Sequence, residues 1–431
     1  MRRRIVITGI GWITPLGHDI DTAWKRLLDG ESGVAPTTIF DAGTFPTQFA
    51  AEVKGFRLTD YLGSDHETHK DVSRQAGFAL AAAKLAWNDA GIGRLTNLDK
   101  SRVGVYLGGG EGPIDFHNFA SAAVDGWDYS DKCLDTRRWA ELAGDVLSKT
   151  LEIEQEPNMA AAHIAALFGV EGPNFNTLTA CAASTQAIGE ATNMIRRGDA
   201  DVMISGGCHS MIHPFGVTGF NRLTALSKRN DAPAGACRPF DRTRDGFVLG
   251  EGAAMLILEE LSHAQARGAR ILAEIIGYGS TADAFRITDI HEDGRGGIAS
   301  MRLALADAGV EPKDIDYISA HGTGTQENDK IESLAIRGVF GDIAKKVPIS
   351  SVKSMIGHLI AAAGASELIT CVLAIRDGMI PPTMNYSTPD PACDLDYVPN
   401  QSRKGNVRTC LSNSFGFGGQ NDTLIIRKFE A

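Results

Sequence analysis

Leu85-Ala86-Trp87-Asn88-Asp89-Ala90-Gly91 recurs as Leu303-Ala304-Leu305-Ala306-Asp307-Ala308-Gly309, 218 residues further along a chain of 431. Each copy is followed by a short linker, an apolar strand and a glycine-rich loop. Alone, such a match is a common way to end a helix. A second pair, Ile195-Arg196-Arg197-Gly198 and Ile375-Arg376-Asp377-Gly378, occurs in the corresponding order, each closing an Ala-rich helix at a glycine suited to the C-cap. Together they predict two similar halves, 1–270 and 271–431. Working outward, segments rich in Val and Ile (5–8, 103–107, 202–205, 254–258, 317–320 and 423–426) alternate with helical segments (73–90, 184–197, 297–308 and 361–376). That alternation predicts an α/β fold, a sheet covered by helices.

Composition narrows the function. A hydrophobic share of 43% and a charged share of 22% are ordinary for a globular protein, and 48 glycines imply many tight loops. A net charge of -11 argues against broad nucleic-acid affinity, so any acidic partner must meet a local basic patch. The cysteines at 133, 181, 208, 237, 371, 393 and 410 are odd in number and form no CxxC pair. They fit a reducing, cytoplasmic setting and neither a disulfide framework nor a zinc site. The start, Met1-Arg2-Arg3-Arg4 followed by IVITGIGWITPLG, is broken by Gly9, Gly11 and Pro15, so it reads as a first strand and not as a signal peptide. No stretch reaches the roughly 18 apolar residues of a membrane span. The least regular region is 113–157.

Four constellations carry chemistry. In Thr179-Ala180-Cys181-Ala182-Ala183-Ser184-Thr185 a strand approach turns into a helix of small residues, which puts Cys181 near a helix N-terminus, where the dipole and free N–H groups favour thiolate. A lone cysteine is ordinarily a small buried hydrophobe, and that reading stands for the other six. His321, in Ser319-Ala320-His321-Gly322-Thr323-Gly324-Thr325, follows a predicted strand, where open α/β sheets place their sites; a satisfied structural histidine is the even alternative. In Ser351-Val352-Lys353-Ser354-Met355-Ile356-Gly357-His358, running into a helix over 359–374, a helix N-terminus keeps His358 neutral. Lys353 is either a solvated charge or, in its apolar setting, buried against an acid such as Glu332. Near the C-terminus, Asn413-Ser414-Phe415-Gly416-Phe417-Gly418-Gly419-Gln420-Asn421 offers close backbone approach and Phe417 as an apolar flap; an ordinary glycine-rich turn is the plain reading, and a phosphate loop is excluded because no GK[ST] or G-x-G-x-x-G is present. One Cys and two His without metal spacing fit thioester chemistry: a thiol accepts the acyl group, and two neutral donors stabilise enolate-like charge as a β-carboxylate leaves.

Taken together, TACAAST at Cys181, CRPFDRTRDGFVLGEGA at 237–253, AHGTGT at His321, SVKSMIGHLIAAAGASE at Lys353 and His358, and NSFGFGGQN at 413–421 resemble the elongating β-ketoacyl-acyl-carrier-protein synthases of fatty-acid synthesis and their polyketide relatives. The resemblance runs from Arg3 almost to the last residue, in the family's order. It implies a thiolase-like fold, two pseudo-symmetric αβαβα halves forming one five-layered body, the first carrying the nucleophile and the second the two histidines. It implies that Cys181 is acylated from acyl carrier protein (ACP), and that His321 and His358 support decarboxylation of malonyl-ACP, whose carbanion attacks the acyl-enzyme. Further implications are an oxyanion hole from the backbone N–H groups of Cys181 and Phe417, an acidic residue at Glu332 that pairs with Lys353, Phe417 as a gate for malonyl entry, and supporting roles for Thr323 and Thr325. ACP contacts fall at Lys70, Lys228 and Arg229. The resemblance calls for no cofactor and no metal; it implies a homodimer built near the strand before the nucleophile, with a heterodimer with a chain-length partner as the other arrangement.

Departures from the family pattern bear on substrate. Segment 113–157 is longer than usual before Asn158-Met159-Ala160, and Ala183-Ser184-Thr185 replaces the usual glycine-rich sequel to the nucleophile. A polyketide or other secondary-metabolite ketosynthase therefore stands beside fatty-acid elongation. A thiolase would need a second Cys in the FGFGG segment, an initiating synthase an Asn in place of His358, and a non-catalytic chain-length subunit would lack Cys181.

Overall fold

The computed structural model describes residues 2–112 and 114–430. Strand β1 (Ile5–Ile13) is buried along its whole length, and it pairs on both sides, antiparallel to β5 (Gly252–Glu260) and to β6 (Ala273–Ala282). Around it a ten-stranded sheet is completed by β2 (Val103–Gly109), β3 (Asn174–Thr177), β4 (Val202–His209), β7 (Tyr317–Ser319), β8 (Ile349–Ser350), β9 (Thr409–Gly416) and β10 (Gln420–Arg427), in the order β8-β7-β9-β10-β6-β1-β5-β4-β2-β3. Outward from the β6–β1 junction the order is the same in both directions. The pairing sense repeats as well: β4–β5 and β9–β10 are antiparallel, whereas β2–β4, β2–β3, β7–β9 and β7–β8 are parallel.

The repeated heptapeptide ends α1 (Arg74–Ala90) and α4 (Arg295–Ala308), which lie on β1 and β6. Here glycine is required by close approach. A Cβ at Gly9 or Gly11 would stand 2.3 and 2.0 Å from the carbonyls of Ala86 and Ala82; at Gly277 or Gly279 it would stand 2.3 and 2.2 Å from those of Ala304 and Ser300. The contacted helix positions differ by the same 218 residues as the sequence repeat. Both strands also bulge at matching places, between Ile7 and Gly9 and between Ile275 and Gly277. This explains why β1 runs on to Ile13 instead of ending near residue 8: Gly9 and Gly11 seat a helix and do not break the strand.

Between the two halves lie α3 (Ala183–Arg197) and α6 (Ala363–Asp377), each touching strands of both. Outside, α1 and α2 (Met159–Phe168) cover one half, and α4 and α5 (Gln326–Phe340) cover the other. The result is the five-layered thiolase-like body with pseudo-symmetric halves. Helix α6 is buried at every position from Ala363 to Ile375, so it carries no polar stripe.

Segment 113–157 is more regular than its composition suggests. Apart from Pro113, which lies outside the described residues, it folds as helices Phe116–Asp125, Thr136–Val146 and Lys149–Ile153 around a short hairpin of Trp127–Asp128 and Cys133–Leu134. Phe116 and Phe119 meet Phe215 edge-on at 5.0 and 5.7 Å. Strand β3 ends the sheet, and Phe175 in it and Leu178 beyond it are 48% and 52% exposed. Among the described residues no helix is long and apolar enough to cross a membrane.

Candidate active site

The chain reaches Cys181 through a strained turn. Ala180 has φ 48°, a left-handed value that costs a non-glycine residue about 1–2 kcal/mol, and leads into a 3₁₀ turn, Ala180–Ala182, before α3 begins. The other half repeats the device, with Ile360 at φ 47° opening the turn Ile360–Ala362 before α6. Cys181 therefore stands at a helix entrance, as expected, but its thiol is not activated by it. Burial pushes its pKa up to about 12, against the opposing influence of the Lys353 ammonium and the backbone N–H groups of Phe417 and Cys181. The helix entrance supplies directed N–H groups, and burial in an apolar cluster with Met211, Phe247 and Ile360 overrides their effect on charge.

The ligating atoms of Cys181, His321 and His358 all lie within 4.8 Å of one another, the one such group found among the described residues. Both imidazoles are buried, 5.5 Å apart between centroids at 82°. His358 Nδ1 accepts the N–H of Ile360 at 3.2 Å, so the neutral ring carries its hydrogen on Nε2, which has no partner among the described residues. The Lys353 ammonium stands 3.5 Å from His321 Nδ1, which gives that ring the same tautomer. Burial first, then Lys353 and His358, hold His321 well below its ordinary pKa; burial, Lys353 and His209 do the same for His358. The two rings are thus arranged as neutral hydrogen-bond donors and not as metal ligands. His358 stands between the short helix Lys353–Ile356 and the turn Ile360–Ala362 that opens α6, near a helix N-terminus as expected, and burial and neighbouring charge hold its ring neutral.

One expectation is corrected here, and it concerns Lys353. Its ammonium pairs with Glu367 on α6 and donates to the His321 carbonyl at 2.6 Å, and both side chains of the pair are 1% exposed. Glu332 is not its partner. The Glu332 carboxylate accepts the N–H groups of His321 and Gly322, each at 2.8 Å, and so fixes the backbone beneath the histidine. The chain reverses there at Gly322, and α5 carries Glu332 back under the turn. Burial raises the pKa of both carboxyls. Glu367 had a readable signal, as the lone charged residue of 363–375.

An 80 Å³ cavity opens on the three central residues, and Phe417, Thr323, Thr325, Thr288 and Asp283 also line it. Gly416 permits the close backbone approach: a Cβ there would lie 2.9 Å from the Thr179 carbonyl. Thr323 and Thr325 share a hydroxyl hydrogen bond at 3.0 Å, and Thr325 caps α5 by accepting the Asn328 N–H at 3.3 Å. Their loop is clamped by buried Arg244, which donates to the carbonyls of Thr325 and Gln326 at 3.0 and 2.9 Å and to Asp390 at 2.6 Å. Arg244 lies in the recognisable stretch 237–253, which assigned it no role. His209, at the carboxyl end of β4, was also missed; it is buried, its Nδ1 accepts the Ala361 N–H at 3.4 Å, and burial lowers its pKa to about 4.

The expected carrier contacts lie apart from this cluster. Lys70 and Lys228 are exposed. Arg229 is half-buried and engaged, to Asp245 at 3.2 Å and to the Thr243 carbonyl.

Two family models match the chain: "Beta-ketoacyl synthase, N-terminal domain" over residues 2–264 and "Beta-ketoacyl synthase, C-terminal domain" over 272–387. Similar curated proteins are named 3-oxoacyl-[acyl-carrier-protein] synthase 2. That of Coxiella burnetii is 43% identical over 435 residues, covering 99% of each chain, and that of Staphylococcus aureus is 41% identical over 429 residues, covering 100% of this chain and 99% of its own. Among solved structures, an ishigamide ketosynthase/chain length factor superposes with a TM-score of 0.88 at 36% identity, covering 100% of both chains. A type II polyketide ketosynthase solved with its acyl-carrier protein and bound to a hexaketide gives 0.85 at 34%, again covering 100% of both.

Proposed function

The chain belongs to the β-ketoacyl synthase family, and from that premise we infer that it is an acyltransferase in which Cys181 carries the growing acyl chain and His321 and His358 decarboxylate the extender. The observation that carries this reading is the cluster of one thiol and two Nε2–H imidazoles within 4.8 Å. In the first half-reaction the Cys181 sulfur attacks the acyl-ACP thioester; the carbon–sulfur bond to the carrier breaks, and the thiol proton leaves on the carrier thiol. In the second, the bond from malonyl-ACP to its carboxylate breaks and CO₂ departs. The electron pair passes into the thioester as an enolate, whose oxygen accepts hydrogen bonds from His321 and His358. The nucleophilic carbon then attacks the acyl carbonyl on Cys181, the N–H groups of Cys181 and Phe417 hold the oxyanion, and as β-ketoacyl-ACP forms the Cys181 sulfur leaves as thiolate and takes up one proton from solvent, which restores the thiol. Each oxyanion donor is worth about 10²–10³ in rate.

The remaining roles follow from position. Lys353 and Glu332 orient His321 from its side chain and backbone. Thr323 and Thr325 receive the carrier's thioester arm at the cavity mouth, and Phe417 admits malonyl once Cys181 is acylated. The partner is ACP, met at Lys70, Lys228 and Arg229. The halves 1–270 and 271–431 divide the labour, the first presenting the nucleophile and the second both histidines. A homodimer joins two copies along the edge strand β3, where Phe175 and Leu178 would otherwise face water. Replacing Cys181 by Ala abolishes condensation, while Cys181→Gln, which imitates an acylated side chain, keeps malonyl decarboxylation without condensation. Substantial condensation by the alanine variant overturns the assignment.

A further inference from the structure

Ser184 and Thr185, which depart from the family's usual sequel to the nucleophile, tie α3 to two other elements. Thr185, in the first turn of α3, shares a hydroxyl hydrogen bond at 2.7 Å with Ser414 on β9, and both side chains are buried. Ser184 accepts the Ala365 N–H at 2.9 Å, one of the N–H groups that the first turn of α6 leaves without an intrahelical partner. Gly364 on α6 keeps room for the junction: a Cβ there would stand 1.8 Å from Thr185 Oγ1 and 2.8 Å from Ser414 Oγ. Apolar side chains could bury the same surface, but a hydrogen bond also has a preferred length and direction, and here it fixes how far β9 stands from α3.

That distance matters because the two oxyanion donors belong to these two elements. The Cys181 N–H lies in the turn that opens α3, four residues before Thr185. The Phe417 N–H follows the end of β9, three residues after Ser414. Both N–H groups reach the Cys181 sulfur. Where strand and turn pass, they are almost in contact: a Cβ at Gly416 would lie 3.3 Å from the nitrogens of Cys181 and Ala182. The bond to Thr185 is the last side-chain hydrogen bond on β9 before Phe417, since Phe415 and Gly416 have no polar side chain. A tetrahedral intermediate needs both donors within hydrogen-bond reach of one oxygen, so a small slip of β9 against α3 costs rate without removing either donor.

We propose that Thr185 is a positioning residue for acyl transfer, which acts through Ser414 to hold the Phe417 N–H in register with the Cys181 N–H. The proposal rests on Cys181 as the acyl carrier and goes beyond that reading by assigning the residue that sets its two donors against each other.

The test compares two reactions of the same sulfur in the full-length protein. Acylation of Cys181 by acyl-ACP passes through an oxyanion; alkylation by iodoacetamide displaces iodide from a saturated carbon and needs no oxyanion donor. Both are followed by intact mass as rate constants, so an unfolded fraction lowers the amplitude and leaves the rate. Thr185→Val keeps the branched shape without the hydroxyl, and it slows acylation by about tenfold, less than the 10²–10³ of a donor lost outright, while alkylation keeps its wild-type rate. Thr185→Ser, which retains the hydroxyl, acylates close to the wild-type rate. Ser414→Ala slows acylation as Thr185→Val does, and the double variant is no slower than either single one, because one bond is lost in all three. Wild-type acylation in Thr185→Val, a serine variant as slow as the valine, an equal loss of alkylation, or losses that multiply in the double variant would each overturn the proposal and leave Cys181 as the carrier. A wild-type protein that takes no acyl group on Cys181 removes both.

Discussion

Replacing Lys353 by methionine keeps the length of the stem and removes the cation from a buried set. Glu367, 1% exposed, then loses the partner of its Oε1, and its Oε2 has none to begin with. Removing one member of a buried ion pair costs about 3–5 kcal/mol, and the His321 carbonyl also loses its donor at 2.6 Å. A second change, Glu367→Leu, removes the stranded carboxylate from a stretch of α6 that is otherwise buried and uncharged, and exchanging a whole buried pair for apolar groups is often close to neutral. The double variant therefore regains most of the lost stability. Activity follows a different course, since no donor remains at His321 Nδ1 to hold the hydrogen on Nε2. Decarboxylation of malonyl-ACP falls by about 10²-fold in both variants, the scale of one lost enolate donor. Urea unfolding and CO₂ release separate the two effects. A double variant no more stable than the single one refutes the stranded-carboxylate argument; wild-type decarboxylation in either refutes the link from Lys353 to His321.

With the Cys181 pKa pushed up to about 12, the thiolate fraction grows about tenfold per pH unit, so alkylation of Cys181 by iodoacetamide rises steadily with no plateau below about pH 10; a plateau near neutral pH contradicts the dominance of burial. Asp422 accepts the Tyr278 hydroxyl at 2.9 Å, but burial raises its pKa from 3.8 to about 7. The unfolded chain therefore releases this proton first, and the associated stability is present below about pH 4 and lost as pH rises through about 7. Asp422→Asn removes that loss: its urea midpoint exceeds the wild type's at pH 8, and the gap closes toward pH 4, whereas a pH-independent gap counts against the titration. Lys228 is exposed while Arg229 is held by Asp245, so Lys228→Glu is the cleaner test of carrier docking. It raises the apparent KM for ACP substrates and weakens its salt dependence without changing kcat; unchanged kinetics at low salt exclude the site.

The repeat was legible because it is physical: Ala and Ser on one helix face and Gly on the strand beneath are what close helix-to-strand packing demands, so the 218-residue echo survives in both sequence and contact. The three central site residues were legible for a similar reason, since each stands in a loop of small residues where backbone must approach a reacting group. What the sequence hid was partnership. Glu332 and Glu367 are 35 residues apart and both buried, and only the return of α6 between the halves decides which one meets Lys353. The charge state of Cys181 was hidden too, because a helix entrance is local and can be read, whereas burial comes from Met211, Phe247 and Ile360, far apart in the chain. Arg244 stands in the recognisable stretch 237–253, but its role shows only when the fold sets Thr325, Gln326 and Asp390 around it.

The most direct test of the account is a single turnover from isolated acyl-enzyme. The protein is acylated from acyl-ACP, freed of excess donor, mapped by peptide mass, and mixed with one equivalent of malonyl-ACP while adduct, CO₂ and product are followed together. The account predicts an adduct on the Cys181 peptide alone, lost in step with one CO₂ released and one β-ketoacyl-ACP formed. An adduct on any other residue, or product formed while the Cys181 adduct remains, would contradict it.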